Sequence, residues 1–145
     1  MLIDCLETEA VTVTIPDVDE FDVGSVSDSD SDANTLAESV SNGASAEITA
    51  FASDPDGTTN TVPYAISSQS CTGAFAIGSS SGAITVADTS AIDDETATTC
   101  YVVVRATSAD GSTSDTTFTV TVTDHDEFDV GSSSDTDSDA NTLAE

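Results

Sequence analysis

The chain is 145 residues long and carries one basic residue, Arg105, against 28 acidic ones, for a formal net charge of −27. That length suits one domain with overhangs. The charge excludes nucleic acid and anionic membrane surfaces as partners, because both are gripped by Lys and Arg, and it leaves cations as the natural counterpart.

Val11-Thr12-Val13-Thr14-Ile15 alternates apolar and polar residues, which predicts a half-buried strand stopped at Pro16, whose ring nitrogen cannot donate to a ladder. Asp17-Val18-Asp19-Glu20 follows as an acidic connector, with Phe21 and Val23 as apolar anchors before Gly24. Residues 25–32 alternate serine and aspartate and read as a solvated stretch. Leu36 and Val40 flank Glu38, and Asn42-Gly43 signals a turn. A strand is predicted over 47–52, ended by Asp54-Pro55-Asp56-Gly57, a turn that brings two carboxylates together. The next strand is predicted over 61–67, with Val62, Tyr64 and Ile66 inward. Two short strands follow, Phe75-Ala76-Ile77 and Ala83-Ile84-Thr85-Val86, separated by a Ser/Gly turn. Residues 88–96 are too acidic for a strand and predict a structured loop. Strands over 100–106 and 116–123 complete the pattern, the last with Phe118, Val120 and Val122 on one face. About seven short strands punctuated by turns, with no helix needed, describe a β-sandwich.

These runs argue against disorder, which the charge and the few aromatics would otherwise suggest. They predict instead a fold that its clustered carboxylates keep marginal until cations neutralise them. No apolar run of about 18 residues exists, so no helix is expected to insert into a membrane.

Residues 20–38, EFDVGSVSDSDSDANTLAE, recur at 127–145 with 17 of 19 positions identical; only Val26/Ser133 and Ser29/Thr136 differ. The offset of 107 residues also aligns Thr12, Val13 and Thr14 with Thr119, Val120 and Thr121, and places Ile15 opposite Val122. The chain therefore reads as residues 1–19, the last strand and linker of a preceding repeat; 20–126, one domain; and 127–145, the start of the next. A period near 100 residues predicts an array of domains rather than a solenoid of short units.

Of three cysteines, Cys71 and Cys100 lie inside the repeat unit and Cys5 lies outside it. A pair within one domain points to an oxidising compartment and a bridge, with two buried free thiols as the alternative. The strand before Cys71 and the strand that begins at Cys100 would run antiparallel, which puts both residues at one end. Four acidic clusters fall at strand ends: Asp17/Asp19/Glu20, Asp54/Asp56, Asp93/Glu95 and Asp124/Asp126/Glu127, with Glu38 as a fifth point. D-x-D and D-x-E spacing puts two carboxylates on one side of an extended segment, where a pair can grip one ion, and calcium takes six to eight oxygens from flexible loops.

The order of these elements resembles a cadherin-like repeat of large bacterial cell-surface adhesins. Leu36-Ala37-Glu38-Ser39 is similar to the family's glutamate motif, and Ala52-Ser53-Asp54-Pro55-Asp56-Gly57 with Asn60 to its A-x-D-x-D-x-G-x-N turn. Phe75-Ala76-Ile77 and Ser81-Gly82-Ala83-Ile84 resemble its F-x-I and G-x-I signature, and Ile92-Asp93-Asp94-Glu95 its L-D-x-E loop. Asp124-His125-Asp126-Glu127 and Asp17-Val18-Asp19-Glu20 take the place of its linker. The resemblance implies an all-β, seven-strand Greek-key sandwich of the cadherin/immunoglobulin-like kind. It implies Ca²⁺ held at one end by Glu38, Asp93, Glu95, Asp124, Asp126 and Glu127, and at the other by Asp54 and Asp56 with Asp17, Asp19 and Glu20. Ala106-Thr107-Ser108 departs from it, with serine where the family has the aspartate of A-x-D; Arg105 beside it would oppose a cation if it turned inward.

The expected function is a calcium-rigidified tandem extender repeat of an extracellular adhesin or surface fibre, whose partners are neighbouring repeats of the same or an identical chain. The alternatives are a module that binds carbohydrate or a second copy of itself, and a filament subunit that assembles by β-strand addition. Against the carbohydrate reading, there is no Trp, and Tyr64 and Tyr101 both fall within strands. The single histidine, His125, lies in the linker and no nucleophile–base pair is visible, so no enzymatic activity is expected.

Overall fold

The computed structural model describes residues 10–15, 21–56 and 60–126. Among them eight strands form: β1 (Ser27–Asp28), β2 (Thr35–Ala37), β3 (Ser45–Phe51), β4 (Tyr64–Gln69), β5 (Phe75–Ile77), β6 (Ala83–Val86), β7 (Thr99–Thr107) and β8 (Thr113–Thr123). One sheet has the order β1-β3-β6-β5 and the other β2-β8-β7-β4. All pairs are antiparallel except β2 with β8, which run parallel. The result is an all-β sandwich of two four-stranded sheets, whose one short helical piece is a 3-10 turn at Thr89–Ala91.

The sandwich follows from alternation. On β8, Phe118, Val120 and Val122 are buried while the threonines between them face outward; on β7, Cys100, Val102, Val104 and Ala106 turn inward in the same way. These meet Ile48, Ile84 and Val86 from the opposing sheet, all nearly or fully inaccessible. Burying each such side chain contributes about 1.5–3 kcal/mol. Gly82 admits the close approach of β3: its φ is +71°, and a Cβ there would lie 2.0 Å from the carbonyl oxygen of Ala50.

Several details differ from the sequence expectation. The strand expected from residue 61 begins only at Tyr64, after Pro63, which has no N–H to give. The Ser/Asp stretch is partly structural, since Val26 is buried and Ser27–Asp28 pairs with Phe51 and Ala50 of β3. With β2 it is one of two strands not expected from the sequence, and as the strand expected over 11–15 does not form, seven expected strands become eight. Residues 11–15 form no strand here and leave Val11, Val13 and Ile15 at 82%, 76% and 85% exposure. Cys71 and Cys100 form a disulfide, with Cα atoms 5.5 Å apart, between the loop after β4 and the first turn of β7. Beside it, Ser70 N–H donates to Tyr101 O and Tyr101 N–H to Ser70 Oγ, which prolongs the β4–β7 ladder to the bridge.

Candidate metal centre

Glu38 follows β2 directly, and its N–H continues the parallel ladder by donating to Thr123 O, the last residue of β8. That bond sets Glu38 beside the chain leaving the domain. The acidic loop is brought to the same place by Ile92, which is buried in the core and holds Asp93–Glu95 just outside it. The loop's entry is fixed by the 3-10 turn, where Asp88 Oδ1 accepts from the Ser90 N–H and hydroxyl and Asn42 Oδ1 from Thr89 N–H. Its exit is fixed by Asp93, which accepts from Thr96 N–H at 3.2 Å and from Thr96 Oγ1 at 2.8 Å.

Glu38 joins the parts. Its Oε2 accepts from Asp94 N–H at 2.9 Å, and its Oε1 accepts from His125 N–H at 2.5 Å. Glu38, Asp93 and Glu95 each bring one carboxylate oxygen within 4.8 Å of the others. The electrostatics show the conflict this creates. Asp124 is held above the usual carboxylate value by burial, then by the charges of Glu38, Asp94 and Asp126. Glu95 is drawn down by its own backbone N–H, yet its hydrogen bond with Asp93 and the charges of Glu38 and Asp124 prevail and hold it high. Asp93 goes the other way, lowered by the Thr96 hydroxyl. Like charges gathered this closely favour a cation among them, and carboxylate oxygens suit a hard one.

The second acidic site lies at the other end of the sandwich. β3 gives way to Ala52, whose N–H donates to the Tyr64 hydroxyl at 2.9 Å. The turn then buries Asp54 and Asp56 to 7% and 4% exposure. Asp54 Oδ1 accepts from Asp56 N–H, but its buried Oδ2 has no hydrogen-bond partner among the described residues. An orphaned, buried carboxylate oxygen is costly in a fold of this kind and suits the role of ligand to a cation. The β7–β8 turn comes to the same end. Val23 N–H donates to Ser112 Oγ while Gly24 N–H donates to Ser53 O, so one short segment spans both turns. β8 is eleven residues long, so the two acidic ends stand roughly 35 Å apart at about 3.3 Å per residue.

Of the residues singled out from sequence, Glu38, Asp93 and Glu95 converge, Asp124 raises Glu95 and is raised by Glu38, and Asp126 acts on Asp124. Asp54 and Asp56 pair in their own turn. Asp17, Asp19, Glu20 and Glu127 lie outside the described residues. Two acidic residues were missed. Asp94 contributes both its N–H to Glu38 and its charge to the cluster. Asp110 accepts from Ser108 Oγ and Ser112 N–H, both at 2.7 Å, so a carboxylate does stand in the turn where serine occupies position 108. Arg105 does not oppose a cation: it points outward and binds Asp115 with two hydrogen bonds of 2.8 and 2.7 Å.

A family model described as "Cadherin domain" matches residues 35–123, more than half of the chain, and these limits are the first residue of β2 and the last of β8. The fold is similar to extracellular cadherin domains 3–6 of protocadherin gamma B2, with a TM-score of 0.60 at 14% identity over 77% of this chain and 28% of that one. It is similar to the protocadherin gamma B4 extracellular domain, with a TM-score of 0.60 at 21% identity over 82% of this chain and 20% of that one. Mouse cadherin-23 domains EC22–24 give 0.51 at 21% identity, over 63% and 29%. At such identities the likeness concerns the fold alone, and the chain spans less than a third of each of these proteins. No curated protein sequence matches it.

Proposed function

This chain belongs to the cadherin domain family, and from that premise we propose that it is a calcium-rigidified extender repeat, one of a tandem series in an extracellular adhesin or surface fibre of the bacterial kind. The observation that carries the proposal is the meeting of Glu38, Asp93 and Glu95 beside Asp124, where the chain leaves β8. A cation held there touches both the body of the domain and the segment that leads away from it. The ligands at this end are Glu38, Asp93, Glu95, Asp124, Asp126 and Glu127. At the far end they are Asp54 and Asp56, joined by Asp17, Asp19 and Glu20 of the incoming connector.

When bound, calcium supplies positive charge and six to eight coordination positions, which suits a carboxylate cluster that has no basic residue within it. The repetition of 20–38 at 127–145 supports a tandem series, with residues 11–15 as the last strand of the unit before. The partners are then neighbouring repeats, or an identical chain. The family is one of non-enzymatic adhesion modules, and among the described residues no helix is long and apolar enough to cross a membrane. Extracellular calcium modules bind at about 10⁻⁴–10⁻³ M, so the stiffness of such a series would follow ambient calcium. The test is X-ray scattering and calorimetry on a protein of two successive repeats, titrated from EDTA into millimolar calcium. The maximum dimension and the melting temperature should both rise; if neither moves, the proposal fails.

A further inference from the structure

A separate concavity adjoins the Asp54/Asp56 end, with Ala52 and Tyr64 common to both. It is a groove of about 330 Å³ between the end of β3, the segment leading into β4 and the turn between β5 and β6, at the small end of the usual range for small-molecule sites, roughly 300–1,000 Å³. Its walls are fixed by backbone hydrogen bonds: Tyr64 N–H to Ser79 O at 2.8 Å, Ala50 N–H to Gly82 O at 2.9 Å, and Gly82 N–H to Gly78 O at 2.8 Å. A ligand would therefore meet a preformed surface and spend little on ordering it.

The lining has an unusual composition. Phe51 stands on it with 54% of its surface exposed, although it lies in a strand whose inward neighbours Ala50 and Ala52 are buried. Around it are Thr49, Thr61, Ser79 and Ser80, with Asn60. Among the described residues no hydrogen bond engages the side chains of these five. Each hydroxyl can donate once and accept twice, and the amide can do both. No charged side chain lines the groove. A flat apolar ring edged by uncharged donors and acceptors matches one ligand chemistry in particular, a sugar ring, with C–H groups on one face and hydroxyls at its rim. The protein's charge of −27 repels acidic sugars and narrows the class to neutral ones. Tyr101, at 50% exposure, makes the contrast: it lies on the outer face of the other sheet and is not among the residues that line this groove.

We propose that this groove binds a neutral carbohydrate, with the Phe51 ring as stacking platform and Thr49, Asn60, Thr61, Ser79 and Ser80 as hydrogen-bonding rim. The test is titration of the full chain with cellobiose, N,N′-diacetylchitobiose, mannobiose and galactobiose, and with a sulfated and a uronic-acid disaccharide, followed by amide chemical shifts. At least one neutral sugar should shift the 49–51, 60–62 and 79–81 amides at millimolar concentration, and the acidic sugars should not. Phe51→Tyr should keep the binding, whereas Phe51→Leu, equally apolar but without the ring, should weaken it about tenfold. Thr61→Val, which leaves the ring in place, should also weaken it. Tyr101→Ala should leave it unchanged. The proposal is overturned if no neutral sugar shifts these amides, if the acidic sugars bind as well, or if Phe51→Leu binds like the parent chain.

Discussion

Glu38 and His125 are 87 positions apart in sequence, yet the backbone N–H of His125 donates to Glu38 Oε1 at 2.5 Å. The first strand of the parallel pair thus holds the chain that leaves the second. The contact sets the direction of the exit and puts Asp124 and Asp126 on either side of a residue already fixed to the cluster.

Glu38→Gln tests the weight of that residue. The amide oxygen can still accept from one of the two N–H groups, while the charge that opposes Asp124 and Glu95 disappears. In EDTA the melting temperature should hold or rise slightly. In calcium the variant should lose most of the parent's gain, which a site filled at a hundredfold excess over Kd would set at about 2.7 kcal/mol. Calorimetry with and without the metal checks both arms.

Acidity should act on the calcium-free protein in two opposed ways. Glu95 and Asp124 stand above their ordinary values of 4.5 and 3.8, so the folded state holds their protons more tightly than the unfolded chain does. Their contribution is fully present below those ordinary values and is lost as pH rises through the raised folded ones. Asp93 and Asp110 are lowered, by Thr96 and Ser108 respectively, so theirs is present above 3.8 and is lost as pH falls through the depressed values. In EDTA the melting temperature should therefore climb as pH falls from neutrality towards those ordinary values, and drop once pH falls below 3.8. Saturating calcium should flatten the first slope. A steady decline from neutrality downward in EDTA would contradict the crowding of charge at this end.

The bridge between Cys71 and Cys100 closes a sequence separation of 29 residues. The chain-entropy account assigns about 3–4 kcal/mol to such a loop. Cys71→Ser, which leaves the fully buried Cys100 as a free thiol, should lower the unfolding free energy by that amount, read as a fall in the midpoint of urea unfolding, and reduction of the parent should do the same.

The two positions that distinguish residues 20–38 from 127–145 are unequal in this fold. Val26 is 5% exposed in the core, so Val26→Ser should cost about 2 kcal/mol. Ser29 is exposed and donates to Thr49 O, a bond threonine can also make, so Ser29→Thr should stay within about 0.5 kcal/mol. Urea denaturation separates them.

Much of this architecture can be read from local alternation. β5 and β6 occupy Phe75–Ile77 and Ala83–Val86 as expected, because apolar alternation and a glycine turn are contained within a dozen residues. β1 escapes such a reading because its composition is serine and aspartate. It is held from outside, by Val26 in the core and by Asp28 Oδ1 accepting from Thr49 N–H, a side chain doing what a ladder carbonyl usually does. Residues 11–15 fail in the other direction: a strand pattern forms a strand only beside a partner, and no alternation reveals whether one is present. Of the cation sites, the residue types were visible and the meeting of Glu38 with Asp93 and Glu95 followed from the family's order. The parts played by Asp94 and Asp110 rest on backbone hydrogen bonds and turn geometry, which leave no mark in residue type.

The parallel pairing of β2 with β8 has a mechanical side. A chain pulled along its length would draw β2 by its leading end and β8 by its trailing end, in opposite directions. The hydrogen bonds between Thr35–Ala37 and Thr121–Thr123 would then be loaded together, in shear, rather than opened one at a time. Should they yield, the Cys71–Cys100 crosslink would still withhold 29 residues of slack, about 100 Å of extended chain. Tension on a string of such units would meet a stiff clasp first and a shortened tether afterwards.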